Sequence, residues 1–186
     1  MVIGVLALQG GVEEHLAILA DLGVAGRKVR LPKDLDGLDG IILPGGESSV
    51  IDKLARNFGL AEPLANAIRG GLPTLATCAG LIYCARDIDN PSLGQQTLGV
   101  LDISVRRNAF GSQRHSREAE VMGMQASFIR APLVTRVGDG VEVIAKVDGG
   151  VVGVRAEHIT AVSFHPEENG ETGLHEAWLA ALKTQR

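Results

Sequence analysis

The sequence predicts an α/β fold, a mixed, mainly parallel sheet flanked by helices, carried by a single domain over residues 1–186. Three observations predict it. Short continuous apolar runs, the mark of strands buried on both faces, alternate with stretches whose apolar residues recur at helical spacing. A chain of 186 residues fits one α/β domain better than two. At that size it buries roughly 70 % of its unfolded surface, so it needs no disulfide or structural metal to fold. The hydrophobic fraction of 45 % and charged fraction of 22 % place it among ordinary globular chains, and no repeat, linker or low-complexity tract interrupts it.

Residues 2–8 read as the first buried strand, and Val12, Leu16, Leu19 and Leu22 then recur on one face of a helix. Residues 29–31 and Gly40–Leu43 read as the next two strands. Ser48 or Ser49 is suited to cap a helix whose apolar face carries Val50, Ile51, Leu54 and Phe58. A further helix covers residues 60–69, and residues 73–76 re-enter the sheet. The helix after Cys78 runs to about residue 86. From Leu98 the pattern becomes β-rich, with strands over 98–105, 141–147, 151–154 and 159–163, and a last helix holds Leu174, Trp178 and Leu182. Residues 108–125 are polar and poorly periodic, which predicts a surface loop or a weak hairpin.

A formal net charge of −4 argues against a nucleic-acid binder, which would present a basic face. The two cysteines, Cys78 and Cys84, lie about 240° apart around one helix, which suits neither a disulfide nor a zinc ligand set. A reduced, cytoplasmic protein is the plain expectation. No basic n-region precedes the first apolar run and no stretch is long enough to span a bilayer, so neither a signal peptide nor a membrane anchor is expected. His15, His115, His158, His165 and His175 show no ligand spacing, and no metal or cofactor is expected.

Three segments carry chemistry. In Thr74-Leu75-Ala76-Thr77-Cys78-Ala79-Gly80 a strand runs through small residues into one cysteine and opens a helix, the pattern of a nucleophile elbow. Such a turn exposes the sulfur at the carboxyl edge of the sheet, where the helix N-terminus favours the thiolate and the Ala79 N–H faces a developing oxyanion. On residue type alone a small buried core cysteine is the commoner outcome. In Ser163-Phe164-His165-Pro166-Glu167, residues two apart in extended chain share a face, so Glu167 can orient the His165 imidazole as a base. Taken by itself the segment is more often a surface turn; beside a cysteine elbow at another strand end the catalytic reading prevails. In Leu43-Pro44-Gly45-Gly46-Glu47-Ser48-Ser49 the glycines can bring backbone N–H groups to an anion, although no P-loop lysine follows and an ordinary strand–helix turn has the same composition. A nucleophile, an oriented base and N–H donors at three strand ends imply acyl transfer through a thioester; the acyl group stays open at this point.

These segments resemble the triad-type (class I) glutamine amidotransferases. Val5-Leu6-Ala7-Leu8-Gln9-Gly10, Leu43-Pro44-Gly45-Gly46-Glu47-Ser48, Thr77-Cys78-Ala79-Gly80, Arg107-Asn108, Phe128-Ile129-Arg130-Ala131-Pro132 and Ser163-Phe164-His165-Pro166-Glu167 occur in that order over nearly the whole chain. The set is similar to the glutaminase-subunit family of pyridoxal 5′-phosphate synthase, with its class I, flavodoxin-like architecture. The resemblance implies Cys78 as nucleophile, His165 as general acid and base, and Glu167 as its orienter. It implies a glutamine site lined by Gly46, Glu47, Ser48, Arg107, Ile129 and Arg130, and an oxyanion hole from the backbone of Gly46 and Ala79. Unaided, Arg107 and Arg130 read as solvated surface charges. Gln9 is implied at the partner interface, helping to order the oxyanion hole. The implied partner is a (β/α)8-barrel synthase subunit in a large hetero-oligomer, which uses the ammonia with a pentose phosphate and a triose phosphate and switches on a glutaminase that is weak or silent alone. Three departures stand out: Ala76 where the family usually has glycine, a shorter and more basic stretch over residues 111–127 with Arg114, His115 and Arg117, and Glu168 after Glu167. Two alternatives compete, a peptidase-like or stress-protein-like cysteine hydrolase of the same fold and a non-catalytic regulatory module; a module of that kind would be expected to have lost Cys78, His165 or Glu167.

Overall fold

The computed structural model describes residues 1–110, 117–128 and 130–184. In chain order the first half runs β1 (Val2–Leu6), α1 (Val12–Asp21), β2 (Ala25–Val29), β3 (Gly40–Leu43), α2 (Ser48–Asn57), α3 (Ala61–Arg69), β4 (Thr74–Thr77) and α4 (Ala79–Cys84). The second half is β-rich: β5 (Ala85–Ile88), β6 (Leu101–Arg106), β7 (Arg117–Val121), β8 (Met124–Phe128), β9 (Leu133–Val137), β10 (Glu142–Val147), β11 (Gly150–Ala156) and β12 (Ile159–Val162), closed by α5 (Gly173–Thr184).

Ten strands form one mixed sheet in the order β2-β1-β3-β4-β12-β11-β9-β6-β5, with β10 paired to β11. Its first five strands are mutually parallel. From β12 onward the pairings with β11, β9 and β6 are antiparallel, and β5 returns parallel to β6. The inner parallel strands β1, β3, β4 and β12 are buried on both faces, which is why they read as unbroken apolar runs. Their alternate residues nonetheless feed two separate cores. Leu6, Ile41, Leu43, Ala76 and Ala161 pack with Ile51, Ala55, Leu64 and Ile68 of α2 and α3. Ile3, Val5, Ile42, Leu75 and Val162 pack with Val12 and Leu19 of α1 and with Leu174, Trp178 and Leu182 of α5.

Several expectations shift. The strand placed at 29–31 is β2, four residues earlier; it is the sheet edge, so Gly26, Arg27 and Lys28 are not buried and the apolar signal is missing. Neither Ser48 nor Ser49 caps α2; Glu47 holds the N-cap position without a side-chain hydrogen bond. The buried stripe of that helix is Ser48, Ile51, Asp52 and Ala55, while Val50 and Phe58 are exposed. Asp52 is tolerated inside because the Arg56 guanidinium donates to both its oxygens at 2.9 and 2.8 Å. The helix after Cys78 stops at Cys84, where the chain turns into the unforeseen β5. Of the loop or hairpin expected over residues 108–125, the hairpin forms and runs on to Phe128, β7 pairing β8 across a turn at Met122 (φ 55°) and Gly123 (φ 76°), the positive-φ pair that matches strand twist. Residues 111–116 of that stretch lie outside the described residues.

Candidate active site

Parallel pairing of β3, β4 and β12 brings the ends of three strands to one edge of the sheet, and the three chemistry-bearing segments lie immediately beyond them. Cys78 sits between β4 and α4 at φ 45°, ψ −100°, a conformation that non-glycine residues rarely adopt. It is pinned there by its N–H, which donates to the Val162 carbonyl at 2.8 Å, and by its carbonyl, which accepts from Ile82 N at 3.2 Å. Gly80 is required for the same turn: a Cβ there would overlap the Leu43 carbonyl, so only glycine lets α4 start so close to β3. Ala76 is fully buried in β4 opposite Ala161 and Leu43, in the small-residue space the elbow needs.

His165 and Glu167 follow β12. The expected extended segment is instead a 3-10 turn over Pro166–Asn169, with His165 at its N-cap. The turn, not strand alternation, brings the His165 Nδ1–H to 3.0 Å from Glu167 Oε1, on which it donates. Nε2 is left for the hydrogen bond between His165 and Cys78. The imidazole lies against Gly45, where any Cβ would collide with the ring. Gly45 therefore serves first as a wall for the imidazole, while Gly46 gives the close approach to Gln9 and Gly10.

The Gly45–Gly46 turn is tied to the first strand–helix loop. Gly11 N donates to the Gly45 carbonyl at 3.1 Å, and the Gln9 side-chain oxygen accepts from Glu47 N at 2.6 Å. A cleft of about 320 Å³ opens over Cys78 and His165, lined by Gly46, Glu47, Ser48, Arg107 and Arg130. Arg107 is not a solvated surface charge, whereas Arg130 is exposed, as read from the sequence. Arg107 donates to Glu47 Oε1 at 2.9 Å and to Ser92 Oγ at 2.5 Å, and its side chain is 12 % exposed. Arg130 (φ 52°) lies 3.6 Å from the other oxygen of Glu47. Of the predicted site residues, Ile129 lies outside the described residues; the others gather at this edge, with Gln9 just behind the loop.

Sequence reasoning missed what stands behind Glu167. The Thr77 hydroxyl donates to Glu167 Oε1 at 3.3 Å, His15 Nε2 lies 3.3 Å from that hydroxyl, and His15 Nδ1 lies 2.8 Å from His175 Nε2. Both histidines are fully buried. A signal existed: His15 falls on the same helical stripe as Val12 and Leu19, where an imidazole needs a buried partner. Among the described residues no group of three His, Cys, Asp or Glu side chains is placed to hold a metal ion.

Burial works against a charged His165, yet its hydrogen bonds and charge contacts with Cys78 and Glu167 outweigh it and raise the imidazole to about 11. Burial also opposes ionisation of Glu167, but donation from His165 holds its carboxyl below the usual range. Desolvation alone pushes the Cys84 thiol up to about 12; burial first, and then the neighbouring His15, pushes His175 down to about 4, and burial lowers His15.

Residues 5–182 match the SNO glutamine amidotransferase family. A relative from Corynebacterium glutamicum (strain R), named pyridoxal 5′-phosphate synthase subunit PdxT, is 63 % identical over 96 % of this chain and 94 % of its own. Its namesake from Corynebacterium diphtheriae is 61 % identical over 98 % of this chain and all of its own. A crystal structure described as a glutamine amidotransferase superposes with a TM-score of 0.91 at 42 % identity, covering 98 % of this chain and all of that one.

Proposed function

The chain belongs to the SNO glutamine amidotransferase family, and from that premise we propose that it hydrolyses L-glutamine to L-glutamate and ammonia through a thioester at Cys78, for pyridoxal 5′-phosphate (vitamin B6) synthesis. One observation carries the reading: a strained, helix-opening cysteine, a histidine and a carboxylate stand in series beneath a cleft rimmed by Glu47, Arg107 and Arg130. That rim suits a zwitterion, since Glu47 matches an α-ammonium and the guanidinium groups match an α-carboxylate.

The Cys78 sulfur attacks the side-chain amide carbon of glutamine, and the carbonyl electrons move onto oxygen, received by the backbone N–H groups of Gly46 and Ala79. Collapse of that intermediate breaks the C–N bond while His165 delivers a proton to the departing nitrogen, releasing ammonia. Water then adds to the thioester with His165 taking its proton, and glutamate leaves as the sulfur is restored. Glu167 keeps Nδ1 protonated and the ring aimed throughout. Ile129 is proposed as a further wall of the glutamine site.

The partner is a synthase subunit; we take it to be a (β/α)8 barrel within a large hetero-oligomer, and the compartment to be the cytoplasm. Two free cysteines suit a reducing environment, and no helix among the described residues is long and apolar enough to cross a membrane. Gln9 supports a link between docking and catalysis, because it holds the Glu47 N–H at the mouth of the site while lying on the first strand–helix loop. The test is glutamate release from glutamine with and without that synthase subunit. A sharp rise on adding the partner is expected. No glutamate from a demonstrably formed complex would refute the glutaminase reading, and full activity without the partner would refute the coupling.

A further inference from the structure

We propose that His15 and His175 are positioning residues for this reaction: a buried chain of two neutral imidazoles that runs from α5 through α1 and Thr77 to Glu167 and holds its carboxylate against His165. The inference rests on the glutaminase reading above. It is carried by geometry that assigns every proton in the chain. Glu167 Oε1 accepts from the His165 Nδ1–H at 3.0 Å and from the Thr77 hydroxyl at 3.3 Å. Because that hydroxyl spends its only hydrogen on the carboxylate, it can receive one only from His15 Nε2, 3.3 Å away. His15 is therefore the Nε2–H tautomer, and its bare Nδ1 accepts the Nε2–H of His175 at 2.8 Å. Each donor points toward Glu167, so an ionised carboxylate at one end dictates both tautomers.

The chain is sealed. His15, His175 and Thr77 are fully buried, and neither histidine lines the cleft. Burial disfavours the charged form of both imidazoles, which agrees with their being neutral donors. Glu167 is faced by His165 on its own turn and by His15 from α1. His15 in turn senses Glu14 as well as His165 and Glu167, and Glu168 approaches His165 from outside at 3.8 Å. His175, from α5, is the innermost member. Since Glu167 orients the base, a device that orients Glu167 acts on the rate of chemistry and not on glutamine binding.

The test uses His15→Leu, His15→Gln and His175→Leu in the complex with the synthase subunit, beside wild type and Cys78→Ala. His15→Leu is expected to lower kcat roughly 10- to 100-fold, the worth of one hydrogen bond in a charged network, with KM unchanged. It should also move the acid limb of the kcat profile to higher pH, since Glu167 loses a stabilised donor. His15→Gln, whose amide reaches the Nε2 position, should recover much of the rate. An active wild type beside an equally active His15→Leu with the same pH profile overturns the role alone. A wild type without glutaminase activity overturns the functional reading and this role with it. Should the leucine variants not fold, nitrogen-15 spectra of wild-type imidazoles near neutral pH decide: Nε2–H tautomers at His15 and His175 support the chain, and an Nδ1–H tautomer or an imidazolium at His15 overturns it.

Discussion

Cys78 and Cys84 are one helix apart in environment although six residues apart in sequence. Cys84 is fully buried and its thiol is pushed up to about 12 by desolvation, whereas Cys78 sits at the floor of the cleft beside a base. Brief treatment of the native protein with iodoacetamide should therefore label Cys78 and spare Cys84, which peptide mapping by mass spectrometry would read; labelling of both at equal rates would contradict the site. Glu167 offers a sharper test. Glu167→Gln keeps the size and an acceptor for the His165 Nδ1–H but removes the charge that favours the imidazolium. Partner-activated kcat should fall on the order of 10³–10⁴-fold with the fold intact, as measured by steady-state glutamate release alongside circular dichroism. Of the residues concerned, Cys78, His165 and Glu167 were legible as residue types in telling contexts. Thr77 and the two buried histidines were not, because their importance lies in contacts spanning 62 to 160 positions of sequence.

Between residues and molecule stand the elements that aim them. The turn from β4 into α4 works because Gly80 lets the helix touch β3, and the wall behind His165 works because Gly45 has no side chain. Gly80→Ala forces a methyl into the Leu43 carbonyl, so it should destabilise the protein by about 1–3 kcal/mol or more, seen as a lower denaturation midpoint. Gly45→Ala meets a movable imidazole instead of backbone. Its signature should be a large loss of kcat with a small change in stability, and an unaltered kcat would show that the ring is not seated on Gly45. Helix α5 makes a purely structural contribution through Trp178, which packs over Gly40 at the start of β3. Trp178→Ala should cost about 3–5 kcal/mol in chemical denaturation. Element identities in the parallel half were readable because those strands are buried on both faces. The edge strand β2 and the short β5 were not, since Arg27-Lys28 in one and Arg86-Asp87 in the other interrupt any apolar run without setting up an alternation.

At the scale of the whole molecule, α1, α5 and the turn after β12 are drawn together by one titrating cluster, so stability should carry its pH signature. The folded-state value of His175, about 4, lies below its ordinary 6.5, so the unfolded chain takes up a proton first as pH falls through that window. This contribution is fully present above pH 6.5, is lost toward pH 4, and amounts to about 3 kcal/mol at most. Glu167 adds a loss of the same sign on the acid side, since its stabilised carboxylate must be protonated. His165 works in the opposite direction: raised to about 11, it stabilises below 6.5 and that stability drains away as pH rises toward 11. Urea midpoints followed against pH should peak between these windows, and His175→Leu should flatten the acid side; an unchanged slope would separate His175 from the cluster. The sequence by itself determined the α/β class, the order of most elements, the triad residue types and the glycine turns, because each is a local pattern set by backbone sterics and apolar periodicity. Tertiary structure alone decided that His165 and Glu167 meet through a 3-10 turn, that Arg107 and Arg130 converge on Glu47, and that two core histidines stand behind the carboxylate. The turn is local but leaves no apolar or helical pattern to read, whereas the arginine and histidine contacts join segments far apart in the chain, which only the packing of the folded sheet and its helices brings within reach.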